Sequence, residues 1–151
     1  MTLHFRNLTI TPDTPVEQWP VEAVKTALER GSLKDWRRLH DALSKDPWGP
    51  VARRIESALN ASQPYGVAEL MERGIENARA RAAKNERIEV AEQVRRWQAR
   101  SGLTAAEFAE RIGTSASRFS TYQSGKVMPS AGLLVRMKRV AEFSASTTTE
   151  D

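Results

Sequence analysis

Seven residues between Ser115 and Lys126 carry side chains suited to the edges and backbone of a nucleic-acid duplex: Ser115, Ser117, Arg118, Ser120, Thr121, Ser124 and Lys126. Ser117, Ser120, Thr121 and Ser124 follow an i, i+3, i+4, i+7 spacing, which puts them on one face of a helix. Hydroxyls both donate and accept, so they suit groove edges and phosphates but discriminate bases weakly. Arg118 is the long donor beside them, and Lys126 supplies a point charge just beyond. The same stripe would also suit the solvated face of an ordinary helical hairpin. Charge argues against that alternative. From Ile112 to Arg139 there are five basic residues (Arg118, Lys126, Arg136, Lys138 and Arg139) and no acidic one. The whole chain has 23 basic and 19 acidic residues, so the excess is local, and a polyanion responds to a local excess.

These side chains need two short helices and a tight turn to hold them. Thr104-Ala105-Ala106-Glu107 is a capping box, which starts a helix. Phe108, Ala109 and Ile112 give that helix an apolar stripe. Gly113 suits the left-handed residue that closes it. Ser115 then caps a second helix, from about Ala116 to Ser124, with Phe119 and Tyr122 pointing into a core. No carboxylate lies in its first turn, as suits a helix that approaches phosphates. Helix, glycine turn and polar-faced helix are the layout of a helix-turn-helix.

On the stretches SGLTAAEFAERIGTS and FSTYQSGKVMPS, Trp97 to Pro129 resembles the Xre/Cro/phage-repressor group of helix-turn-helix proteins. The resemblance implies a bundle of four or five helices, usually dimeric on DNA, with the helix from Ala116 as the recognition helix. Two positions depart from the family pattern. Ala105 stands where a phosphate-bonding Gln is frequent, which implies one contact fewer. Gln98 and Gln123 stand where an Arg and a Glu often pair, and an amide–amide bond between them replaces the ion pair without burying charge. A shared core of Trp97, Leu103, Phe108, Ile112, Phe119, Tyr122, Leu133 and Met137 is expected.

The chain of 151 residues is long enough for one or two small domains, and the expected class is all-α: a small helical module, then the repressor-like bundle. The expected division is residues 1–84, a dimerisation or partner-binding module, then 85–144, the helix-turn-helix domain, then 145–151, a disordered tail without apolar anchors. Leu3, Phe5, Leu8 and Ile10 predict a short strand or extended arm. Thr14-Pro15-Val16-Glu17 reads as a capping box with proline at the first helical position, but Pro20 stops or restarts that helix within a turn. Helices are expected from Pro20 to Arg30, from Ser32 to about Lys45 with Leu33, Trp36, Leu39 and Leu43 inward, from Pro50 with Val51, Ile55 and Leu59 inward, and from Val67 with Leu70, Met71 and Ile75 inward. Trp19, Trp36 and Trp48 are expected to serve the core of this module. Between Ile75 and Ser101 there is no Gly or Pro. The apolar pattern pauses at Lys84-Asn85, so two helices are preferred there over one.

In DPWGPVARR and PYGVAELMER the first part more faintly resembles the leading segment of actinobacterial antitoxin-like regulators. That resemblance implies an antitoxin or autorepressor whose N-terminal half binds a protein partner, a toxin. There is no cysteine, and His4 and His40 lie far apart, so neither a disulfide framework nor a metal site is expected. No phosphate-cradling glycine loop, HExxH or serine elbow is present, and no catalytic role or cofactor is expected. MTLHFRNLTI lacks the basic region and apolar run of a signal peptide, and no stretch approaches membrane-spanning length, so the expected compartment is the cytoplasm. The expected partners are a palindromic DNA operator and a second copy of the chain, held mainly through residues before Lys84. A protein-interaction adaptor with weak or absent DNA contact is the competing expectation.

Overall fold

In the computed structural model, which describes residues 2–147, the chain is all-helical, with no strand among those residues. It forms two compact units, Met1–Ala82 and Ala83–Asp151. The helices are α1 (Val21–Arg30), α2 (Leu33–Lys45), α3 (Pro50–Ala61), α4 (Val67–Ser101), α5 (Ala105–Ile112), α6 (Ala116–Gln123) and α7 (Ala131–Thr147).

The first unit is built on Trp19, which is fully buried. Its indole N–H donates to the Thr14 carbonyl at 2.8 Å, and Phe5 meets its ring edge-on with centroids 5.1 Å apart. Arg38 lies over the same ring at 4.9 Å and donates to the carbonyls of Pro12 and Thr14. The residues before Val16 are therefore an arm, not a strand. Leu3 is buried, and Phe5, Leu8 and Ile10 pack against the core. The expected capping box at Thr14 does not form. Pro15 and Pro20 bracket a single 3-10 turn, Val16–Gln18, and the Thr14 hydroxyl accepts from the Thr11 amide instead. α2 does start as expected at Ser32, whose amide and hydroxyl both donate to the Asp35 carboxylate, and Pro50 opens α3 at its first position.

Two leucines depart from their expected place. Leu33 is 61% exposed and Leu70 is 47% exposed, although both lie on the apolar stripes of their helices. Leu33 is the first residue of α2, ahead of the buried Leu39 and Leu43, and Leu70 lies about 100° around α4 from the buried Met71, at the edge of its stripe. Of the tryptophans, Trp36 packs on the core and bonds the Ala27 carbonyl, whereas Trp48 is 47% exposed on its rigid turn.

α4 runs unbroken from Val67 to Ser101, so the preferred break at Lys84-Asn85 is absent. Asn85 in that pause is a poor helix former, but the Ala, Arg, Lys and Glu around it are strong ones that need no apolar contact to stay helical. No described helix is long and apolar enough to cross a membrane.

In the second unit the C-terminal part of α4 packs with α5, α6 and α7. Val94, Phe108, Ala109, Ile112, Phe119, Tyr122 and Met137 are buried together, with Trp97, Leu103 and Leu133 packed against them. Phe108 and Phe119 tilt against each other, centroids 5.2 Å apart. α7 continues through Thr147, so the stretch 145–147, expected in a disordered tail, is helical. The Ser146 hydroxyl donates to the Glu142 carbonyl one turn back, a local bond made within the helix. The rest of that expected tail, 148–151, lies outside the described residues.

Candidate nucleic-acid interface

Two turns position α6. Thr104 and Glu107 exchange both bonds of a capping box at the start of α5. Its far end closes in a Schellman arrangement: Gly113, at φ 80°, donates to the Glu110 carbonyl at 3.1 Å, and the Thr114 amide donates to Ala109 at 3.0 Å. Arg136 of α7 donates to the Ile112 carbonyl at 3.2 Å, adding a third bond to that corner. Ser115 then caps α6, its hydroxyl accepting from the Arg118 amide at 3.2 Å.

The C-terminal end of α6 is tied back to α4. Gln123 donates its amide to the Gln98 carbonyl oxygen at 2.8 Å, and Gln98 donates onward to the Leu103 carbonyl at 3.0 Å. The two amides thus make a neutral relay at the position expected for it. Arg95 also donates to the Gln123 main-chain carbonyl. Sequence reading missed Arg95, because a highly charged helix looks like a solvated face until its partner across the fold is known.

With Phe119 and Tyr122 turned into the core, the opposite face of α6 is open. Ser115, Ser117, Arg118, Ser120, Ser124 and Lys126 are exposed, and Thr121 is half-buried. Several hydroxyls are engaged locally. Thr121 donates to the Arg118 carbonyl at 2.6 Å, Ser124 donates to the Thr121 carbonyl at 3.2 Å, and the oxygens of Ser115 and Ser117 lie 3.2 Å apart. With their protons directed at the helix, Thr121 and Ser124 offer acceptor lone pairs outward. Donation to a partner is left mainly to Arg118 and Lys126. Neither makes an ion pair among the described residues.

Comparison with known proteins agrees with this geometry. Residues 89–150 match the family model described as a helix-turn-helix domain, so the chain carries a C-terminal helix-turn-helix domain of all-helical build. No curated protein and no solved structure matches the chain.

Proposed function

We propose that the chain is a sequence-specific DNA-binding transcriptional regulator, an autorepressor or the antitoxin of a toxin–antitoxin operon. The observation that carries this reading is the exposed face of α6. It is rich in hydroxyls, free of carboxylates, and flanked by unpaired Arg118 and Lys126, on a helix-turn-helix domain. Arg118 reads base edges, since a guanidinium can bond guanine bidentately, and Lys126 bonds phosphate. Ser115, Ser117, Ser120, Thr121 and Ser124 line the groove between them.

The test starts with selection of duplexes from a randomised library by the full chain. Arg118→Ala is expected to lose about 1–3 kcal/mol of discrimination at one base pair of the selected site. Lys126→Ala is expected to weaken all sequences alike. Unchanged affinity and preference for Arg118→Ala, measured by titration against selected and scrambled duplexes, would refute the docking. A toxin gene directly beside this one would decide for the antitoxin. The competing reading, a protein-interaction adaptor, draws support from Ala105 and from hydroxyls bonded to their own helix. It predicts no sequence enrichment in the selection.

One recognition helix with few long donors reads few bases. We infer that a homodimer supplies two, about 34–36 Å apart on a palindromic operator, and that the first unit holds the dimer. Leu3, Phe5 and Trp19 serve that unit's own core, so the contact falls to its exposed apolar groups. Leu33 and Leu70 flank Trp36 along a groove of about 180 Å³, an apolar surface for a second copy to cover. Sedimentation should show the full chain as a dimer and a fragment starting near Asn85 as a monomer with weaker DNA binding. A fragment that dimerises and binds as well as the whole chain would overturn this assignment.

A further inference from the structure

A second basic surface lies on α4, next to the C-terminal end of α6. Arg87, Ala91 and Arg95 recur every four residues and so share one stripe of that helix. Ala91, at the centre of the stripe, is buried beneath the turn that follows α6. A Cβ placed on Gly125 of that turn would sit 3.5 Å from the Ala91 Cβ and 3.4 Å from the Arg87 carbonyl oxygen. Gly125 has φ 76°, so any side chain there would be strained, although the contacts themselves are ordinary van der Waals distances. Four residues further on, Arg95 reaches the Gln123 carbonyl. The two arginines therefore bracket the turn that carries Lys126.

Charge is sorted across α4 at this level. With about 100° of rotation per residue, Glu86 and Glu89 fall on the side of the helix opposite Ala91. Glu92, at the flank, faces Arg96 at 4.0 Å. Arg87 and Arg95 are exposed, and neither makes an ion pair among the described residues. Arg95 gives one N–H to the Gln123 carbonyl and keeps the rest of its fork for an anion. A carbonyl and a phosphodiester oxygen can share one guanidinium, because its donors point along separate edges.

We propose that Arg87 and Arg95, with Lys126, form a phosphate clamp that seats the duplex backbone beside the C-terminal end of α6. This rests on the DNA-binding reading above and extends it to a helix outside the two motif helices. The clamp bonds backbone oxygens only. It adds affinity and orientation without sequence information. It also offsets the scarcity of long donors on α6 itself.

The experiment uses the full chain, a mixed-sequence duplex and a library-selected duplex, each of about 30 base pairs so that two half-sites fit. Binding is followed by anisotropy between about 50 and 200 mM salt. The double variant Arg87→Ala/Arg95→Ala should make the slope of log K against log salt shallower by about 1.8 per clamp, the loss of two phosphate contacts. Preference for the selected duplex over the mixed one should not change. Arg96→Ala, on the far side of α4, should leave the slope as it was. Arg87→Lys/Arg95→Lys should keep the wild-type slope, since the charges remain. If Arg95 only caps α6, the double alanine variant will melt earlier with its salt slope intact, and the clamp is overturned. An equal change in Arg96→Ala would overturn it too, because the effect would then be one of net charge. Wild-type chain that binds neither duplex would overturn the DNA-binding reading along with it.

Discussion

Phe119→Ala is expected to unfold the second unit at ordinary working temperature. The ring is fully buried between α5, α6 and α7 and packs on Phe108 at 5.2 Å. Truncating a buried Phe costs about 3–5 kcal/mol, which is most or all of the stability of a unit this small. Duplex binding should disappear for every sequence, unlike the selective loss expected of Arg118→Ala. The first unit has its own core, so part of the helical signal should survive. Circular dichroism on heating should show two transitions for the wild-type chain and only that of the first unit for the variant. A variant with the wild-type melting profile would mean that Phe119 does not face the core, and the motif assignment would fail with it.

The complementary experiment removes the centre of the first unit. Trp19→Ala deletes a fully buried indole, its bond to the Thr14 carbonyl, the edge-on contact with Phe5 and the surface on which Arg38 rests. The expected loss is again about 3–5 kcal/mol. Trp19→Phe keeps a ring but not the hydrogen bond, and should lose less, the bond itself being worth about 0.5–1.5 kcal/mol. If the first unit holds the dimer, Trp19→Ala should sediment as a monomer and bind its operator weakly, with amides in α5 to α7 still protected from hydrogen exchange. A dimer that persists after this unit has melted would place the contact elsewhere.

The second unit was the more legible of the two because its local signals agree with one another. Thr104 with Glu107, Gly113, and Ser115 each specify one geometry, and the apolar spacing of Phe108, Ile112, Phe119 and Tyr122 specifies the same packing. The Gln98–Gln123 bond could be anticipated because two departures from a charged pattern occur at paired positions. In the first unit, local signals compete. Thr14 has the residues of a capping box, but Pro15 and Pro20 leave room for one turn only. Leu33 and Leu70 fit the apolar period, yet periodicity reports the direction of a side chain and not whether another element reaches it. α4 looked divisible because an apolar pause and a helix break look alike in sequence, while propensity alone carries the backbone through. The basic face of α4 was available in principle. Plotting Arg87 and Arg95 against Glu86 and Glu89 on a helical wheel separates the signs, but which side meets α6 depends on Gly125, and that is tertiary information.

The neutral relay between Gln98 and Gln123 has a bearing on how this domain responds to acidity. An Arg–Glu pair in the same place would lose its carboxylate charge as pH falls through the glutamate range, and salt would weaken whatever part of it was open to solvent. Two carboxamides do neither, as they have no proton to gain or lose between mild acid and mild base. The side-chain tether that holds the end of α6 against α4 therefore keeps its strength across that range. Salt titrations of duplex binding then carry no contribution from an ion pair weakening at that position.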